Sequence, residues 1–172
     1  AAKNAAALAA GATESQGLNA AGAAAGHIFA EVWSYAAGQG AQPESFIGLA
    51  GTGDLVATAL APQSRNRRAG ELLAEGVSSD EIPERIGQAV ESFDLVPLLA
   101  AALGDAGIRA PVTDGLARLI AGDLPLEKWV ELVRTTVPVP ARRRVPRPPA
   151  GFWARWVQRW RERRRRRIET VL

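Results

Sequence analysis

Helix-forming patterns occupy the chain from its first residue to about Thr136, and they limit the fold more than any other feature. Apolar residues recur at helical spacing in segments that Gly, Pro, Ser and Asp separate, as in residues 93–103 before Gly104. Sustained alternation of apolar and polar residues, which is typical of strands, is nearly absent. These patterns predict an all-α, compact multi-helix domain.

Local signals predict where several helices begin and end. Residues 1–8 form a strong helical segment that we expect to break near Gly11. Asn19 and Asp54 are suited to cap the helices that follow them. Residues 78–81, with the sequence SSDE, indicate a capping box directly after Gly76.

The charge distribution divides the chain into three segments. Residues 1–138 contain 9 basic and 16 acidic residues, a net charge of −7, whereas residues 139–172 contain 12 Arg and 2 Glu, a net charge of +10. Such asymmetry is typical of an appended interaction segment. We therefore predict a helical domain over 1–138, a disordered Pro/Arg-rich linker over 139–150, and a basic amphipathic helix over 151–172 with several Trp on one face.

Composition excludes several kinds of site. The chain has no Cys and one His, which excludes thiolate and His-cluster metal sites, and we predict no metal. The sequence has no stretch of about 18 apolar residues that would predict a membrane-spanning helix, and no export leader is recognisable in it. The absence of Met, even at position 1, leads us to expect that the chain begins within a longer protein or has been processed. No G-x-G-x-x-G follows a strand pattern, so we expect the nucleotide-binding half to lie elsewhere.

One short block carries the side chains suited to a phosphorylated ligand. Asp54 ends the glycine-rich sequence GTGD, and the sequence SRNRR begins ten residues later at Ser64. Arg offers a planar fork of donors that matches phosphate oxygens, and Ser and Asn add neutral hydrogen bonds. Taken alone, the block is more typical of an exposed basic stretch at the start of a helix than of a ligand site.

Three segments in order extend this block into a family pattern. They are AKN at 2–4, GLAGTGDL at 48–55 and SRNRRAG at 64–70, and GQAVE at 87–91 is similar to a fourth motif. Together they resemble the C-terminal, substrate-binding domain of the bacterial, biosynthetic NAD(P)-dependent glycerol-3-phosphate dehydrogenases. The resemblance runs from Ala2 to about Pro138. It implies a helical fold similar to the C-terminal domain of 6-phosphogluconate dehydrogenase.

The resemblance implies a role for each matching residue at the substrate. Lys3 would be the catalytic residue, exchanging a proton with the C2 oxygen when NAD(P)H reduces dihydroxyacetone phosphate to sn-glycerol 3-phosphate. Lys3 and Asp54 would bind the substrate, and Asp54 would contact its hydroxyl groups and orient the ammonium. Thr58 lies one helical turn after Asp54 and would make a further substrate contact. Asn4 would support Lys3. For Lys3 considered by itself, the alternative is an exposed lysine near the chain end.

The same resemblance assigns the phosphate and cofactor contacts. Arg65 would anchor the substrate phosphate and also contact the cofactor, while Ser64 and Asn66 would complete the substrate pocket. Ala89 and Glu91 would lie at the cofactor. The cofactor, NAD(P)H, would be bound mainly by the protein's own N-terminal Rossmann domain, so we expect the chain alone to be inactive.

Departures from the family pattern are few. Ser92 stands where the family usually has Gly, and His27 stands where it often has Arg; we give His27 no catalytic role. We expect Arg67 and Arg68 to be helix-surface charges rather than ligands.

Partners and alternatives follow from the same reasoning. The expected partners are the small phosphorylated substrate and the Rossmann domain, in a cytoplasmic enzyme of phospholipid precursor synthesis; a homodimer is left open. For the tail, we favour contact with an anionic membrane. The next alternative is that the tail results from an unselected or frameshifted reading of a GC-rich gene, and the third is binding to nucleic acid. The alternative functions are a related two-domain dehydrogenase for another small hydroxy substrate and a non-catalytic helical remnant.

Overall fold

The structure, a computed structural model, describes residues 2–61 and 63–137. Within these ranges it contains helices and turns but no strand, which confirms the all-α prediction. No helix in the described ranges is both long and apolar enough to cross a membrane. The predicted linker (139–150) and tail (151–172) lie outside the described residues. The α-helices are α1 (Ala2–Thr13), α2 (Leu18–Gly38), α3 (Pro43–Ile47), α4 (Asp54–Leu60), α5 (Arg65–Ala74), α6 (Ile82–Ile86), α7 (Glu91–Asp105), α8 (Pro111–Ile120) and α9 (Leu126–Thr135).

Several helix ends differ from those predicted. Helix α1 continues past Gly11 to Thr13, and α2 begins at Leu18 after Gly17, whose φ of +107° suits glycine. Asp54 is the first residue of α4 rather than its cap. The expected capping box at residues 78–81 is a turn in which the carbonyl of Ser78, not its hydroxyl, accepts from the backbone N–H of Ile82 at 3.2 Å.

Helix α1 forms the centre of the core. Its residues from Ala5 to Ala12 are almost completely buried, and most of them are alanine. Larger side chains from the surrounding helices complete the core: Ile28, Ile82, Val96, Leu103, Leu116 and Trp129. The alanine-rich surface allows neighbouring helices to approach α1 closely, and helix formation is supported because alanine has the highest helix propensity.

Glycines bring the backbones of α1 and α5 into contact. A Cβ atom on Gly11 would lie 2.0 Å from the carbonyl oxygen of Arg67, and one on Gly70 would lie 2.1 Å from that of Leu8. Because both distances are far below van der Waals contact, only glycine fits at either position. Gly11 therefore serves packing, which explains why it does not end the helix.

A buried carboxylate joins α2 to α8. Glu31 accepts hydrogen bonds from the backbone N–H groups of Val112 (3.1 Å) and Thr113 (2.8 Å) and from the Thr113 hydroxyl (2.6 Å). It therefore caps the N-terminus of α8 from another helix. The indole of Trp129 donates to the Val112 carbonyl at 3.0 Å and holds α9 against the same turn.

Candidate functional site

A lysine and a carboxylate meet where α1 and α4 begin. The ammonium of Lys3 lies 2.7 Å from Oδ2 of Asp54, and the two side chains are 40% and 43% exposed. The Thr58 hydroxyl donates to the backbone carbonyl of Asp54 at 2.7 Å, so it supports the first turn of α4. The pair is thus oriented by its helices and still open to a ligand.

A small cavity of about 150 Å³ adjoins this pair. That volume corresponds to about five water molecules, which suits a small metabolite. Aromatic rings form the wall behind it: Phe46 lies 5.0 Å from Phe29 and 5.1 Å from Trp33 between ring centroids. The residues that line the cavity are Ala2, Lys3, Phe29, Ser45, Phe46, Gly51 and Asp54.

A second polar cluster lies beside the first, joined to it through α1. Asn4, the neighbour of Lys3, donates from Nδ2 to Oε2 of Glu91 at 2.9 Å. The other Glu91 oxygen lies 3.7 Å from Nη2 of Arg65. Nη1 of Arg65 donates to the carbonyl of Ala89 at 3.4 Å. The structure thus brings together the residues expected at the phosphate and at the cofactor.

Ser64 and Asn66 support the ends of helices. The Ser64 hydroxyl accepts from the backbone N–H of Arg67 at 3.4 Å and caps α5. Asn66 is buried, and its Oδ1 accepts from the backbone N–H of Ser92 at 3.3 Å, in the first turn of α7. The Ser92 hydroxyl is buried without a hydrogen-bond partner in the described part of the chain. Ser64 and Asn66 therefore fix the positions of the turns that flank Arg65.

Arg67 is not the surface charge that the sequence indicated. Its side chain is 19% exposed, and its guanidinium donates to both oxygens of Glu14 and lies 3.2 Å from Glu71. The hydrogen bonds to Glu14 raise the pKa of Arg67, and this effect exceeds that of partial burial, so the group stays charged. Arg68 is exposed as expected, and His27 is half-buried in α2.

Sequence reasoning did not identify the wall of the cavity. Phe29 and Trp33 are spaced four residues apart on α2, which placed them on one helix face but gave no sign that Phe46 would join them. Gly51, which also lines the cavity, belongs to a π-helical turn (Leu49–Gly53) before α4. There, a Cβ on Gly51 would lie 2.0 Å from the carbonyl oxygen of Phe46.

Chemically, the arrangement offers two different functions side by side. At the cavity, an ammonium held by a carboxylate can donate a proton to a developing oxyanion or contact a hydroxyl. At the second cluster, a partly exposed guanidinium can bind an oxyanion. A substrate that carries both an oxygen to be protonated and an anionic group requires these two functions.

Comparison with known proteins identifies the family of this domain. The family profile described as "NAD-dependent glycerol-3-phosphate dehydrogenase C-terminus" matches residues 1–131. A glycerol-3-phosphate dehydrogenase [NAD(P)+] of Pseudomonas fluorescens (strain Pf0-1) is 36% identical over 109 residues, 63% of this chain and 31% of that protein. The enzyme of that name from Sodalis glossinidius is 41% identical over 91 residues, 53% of this chain and 27% of that protein.

A solved structure extends the similarity to the fold. The crystal structure of glycerol-3-phosphate dehydrogenase from Coxiella burnetii has a TM-score of 0.73 and 34% identity, and covers 78% of this chain and 42% of that one. The matched part of the chain spans about a third of the length of the curated relatives. The chain belongs to the NAD-dependent glycerol-3-phosphate dehydrogenase family, whose C-terminal domain it contains.

Proposed function

We propose that this domain supplies the substrate-binding half of an NAD(P)H-dependent glycerol-3-phosphate dehydrogenase. The reaction interconverts dihydroxyacetone phosphate and sn-glycerol 3-phosphate. The observation that carries the proposal is the pairing of Lys3 with Asp54 at 2.7 Å beside a cavity of metabolite size. The nearby Arg65 provides the cation that the phosphate of this substrate requires.

Lys3 is the proton-transfer residue in this proposal. Its ammonium gives a proton to the C2 oxygen as negative charge develops there, and takes the proton back in the reverse direction. Asp54 holds the ammonium in place and binds a substrate hydroxyl, while Thr58 completes that side of the pocket. Asn4 anchors the same turn of α1 through Glu91.

Arg65 binds the substrate phosphate, and the turns around it are set by Ser64 and Asn66. Arg65, Ala89 and Glu91 also form the edge that faces the cofactor. The side chains of Arg65 and Glu91 are 44% and 63% exposed, which fits a site that a second domain completes. When bound, the cofactor supplies the hydride that C2 gains.

The remaining partner is the nucleotide-binding domain. Because the described residues contain no strand, they contain no strand–turn–helix unit that could hold the pyrophosphate of a dinucleotide. We propose that the protein's own Rossmann domain holds NAD(P)H, that the enzyme works in the cytoplasm, and that its product serves phospholipid synthesis. The Lys3–Asp54 pair together with Arg65 disfavours a non-catalytic remnant, which needs none of these groups.

The basic segment over 139–172 is proposed to contact an anionic membrane surface. Its net charge of +10 attracts anionic lipids, and its Trp residues are suited to the lipid–water interface. Such contact would place an enzyme of lipid precursor synthesis near the membrane that uses its product. This proposal is independent of the chemistry at Lys3.

The substrate assignment is tested by NMR titration of the 172-residue chain with glycerol 3-phosphate. We expect saturable chemical-shift changes at Lys3 and at Arg65. The Lys3→Met variant should lose the changes at the residue 3 end of the site. Lys128→Met is the matched control, because Lys128 lies in an exposed ion pair with Glu131 elsewhere on the domain. Shifts confined to Arg65, and equal for glycerol 3-phosphate and inorganic phosphate, would contradict the assignment.

A further inference from the structure

An ion pair joins the far end of α1 to the start of α5. Nε and Nη2 of Arg67 both donate to the carboxylate of Glu14, at 2.9 Å and 2.5 Å. Glu14 directly follows α1, and Arg67 is the third residue of α5. A third group, Glu71, lies 3.2 Å from Nε of the same guanidinium. Two-point contact of this kind fixes the direction of the guanidinium as well as its distance.

Apart from this ion pair, α1 and α5 meet mainly through small residues. The two backbones touch at Gly11 and Gly70, where no side chain intervenes. Six of the nine buried residues of α1 are alanine, and Leu8 is the one large apolar side chain. Crossing angles between helices are set by side-chain ridges that fit into grooves, and alanine provides shallow ridges. The directional contact between Glu14 and Arg67 therefore adds to what sets the angle of α1 on α5.

A small change in that angle matters at the active end of α1. Lys3 lies eight residues before Gly11, which is roughly 12 Å along a helix. A rotation of about 5° about the Gly11 contact would move Lys3 by about 1 Å. Arg65, in contrast, lies two residues from Arg67 and would scarcely move. The angle thus changes the separation between the proton-transfer group and the phosphate anchor.

We propose that Glu14 and Arg67 are positioning residues that set the distance between Lys3 and Arg65 across the substrate. This inference rests on the proposed function, in which one ligand must reach both groups. It accounts for the presence of a partly buried, ion-paired arginine inside a motif whose first arginine binds the ligand in the proposed function. Neither Glu14 nor Arg67 contacts the ligand in this proposal.

Two ligands of the full 172-residue chain separate this role from a purely structural one. Glycerol 3-phosphate must span both ends of the site, whereas inorganic phosphate engages the Arg65 end alone. For Arg67→Lys, which keeps the charge but loses the fork, we expect the Kd for glycerol 3-phosphate to rise about tenfold, equivalent to one decade of affinity. The Kd for inorganic phosphate should change less than about twofold, a shift too small to signal a lost contact. Both constants are measured by NMR titration.

A second variant and a matched control complete the experiment. Glu14→Gln removes the other half of the pair and should reproduce the selective loss. Arg68→Lys changes the exposed neighbouring arginine and should alter neither constant. Equal weakening of both ligands in the two variants, or no change in either, would overturn the inference while leaving the proposed function intact. If the unmodified chain binds glycerol 3-phosphate no better than inorganic phosphate, the proposed function fails and this inference fails with it.

Discussion

The ammonium of Lys3 lies 2.7 Å from Oδ2 of Asp54, although a 3-10 turn, two α-helices and a π-helical turn lie between the two residues in the sequence. Each side chain is about two-fifths exposed, and ion pairs with that exposure contribute little to folding stability. The pair is therefore better explained by what it does to a ligand. Its effect should appear in binding and hardly at all in thermal unfolding.

Asp54→Asn is expected to separate these two effects. The free energy of unfolding should change by less than about 1 kcal/mol, because the pair is solvent-exposed. The Kd for glycerol 3-phosphate should rise about tenfold or more, because the ammonium loses its orientation and the hydroxyl loses a charged acceptor. Denaturant melts and NMR titration measure the two quantities.

Glu131→Gln is the matched control for that experiment. It breaks the exposed Lys128–Glu131 pair of 3.1 Å, which lies on α9 outside the site, and should leave both quantities unchanged. Unaltered binding by the Asp54 variant would show that the pair has no part in ligand recognition.

Glu31→Gln should destabilise the domain strongly. The carboxylate accepts three buried hydrogen bonds at the start of α8, and an amide offers one acceptor atom in its place. We expect a loss of about 2–4 kcal/mol, the magnitude typical of removing hydrogen bonds to a buried charge. Urea denaturation followed by circular dichroism measures it. The exposed Glu75→Gln should behave like the unmodified chain, and an equally small effect of Glu31→Gln would refute the role of a trans cap.

Gly70→Ala tests the contact between α1 and α5. The added Cβ would lie 2.1 Å from the Leu8 carbonyl and 2.6 Å from the Ala12 nitrogen, so the helices must separate. We expect a loss of about 1–3 kcal/mol or more, as in other overpacked cores. Gly22→Ala is the matched change at a helical glycine with open space around it, and should stabilise by about 0.5–1 kcal/mol. A stabilised Gly70 variant would contradict the described crossing.

The basic tail should carry the chain to anionic vesicles. We expect the 172-residue chain to sediment with phosphatidylserine-containing vesicles at physiological salt, and the fragment 1–138 to remain in the supernatant, because each Arg near such a surface contributes about 1 kcal/mol. Replacing the Trp residues at 153, 156 and 160 by Ala, with every Arg retained, separates interfacial insertion from charge. If the intact chain also remains in the supernatant, the membrane proposal is wrong.

The sequence predicted the fold class because helix propensity and apolar spacing are local properties. The absence of strand alternation was sufficient for the all-α prediction, and the family pattern identified Lys3, Asp54, Arg65 and Glu91 by residue type. The structure brings these four into two adjoining clusters. Their mutual distances depend on packing between α1, α4, α5 and α7, which no local pattern reports.

The errors have the same physical origin. Gly11 was expected to break α1 because glycine has low helix propensity, yet close packing against Arg67 favours it there. Arg67 was expected on the surface because it belongs to a run of charges, but its partner Glu14 is 53 residues away. The cavity wall of Phe29 and Phe46 likewise depends on two elements that meet only in the folded chain.

The most direct test of the central claim is the steady-state rate of NAD(P)H oxidation driven by dihydroxyacetone phosphate. The enzyme to use joins residues 1–137 to the N-terminal part of the Pseudomonas fluorescens relative, in place of that protein's own matching segment. We predict turnover by this enzyme, a loss of about 10²–10⁴-fold in kcat for Lys3→Met, and no turnover by the 172-residue chain alone. A folded two-domain enzyme with undiminished kcat after Lys3→Met, or turnover by the isolated chain, would contradict the account.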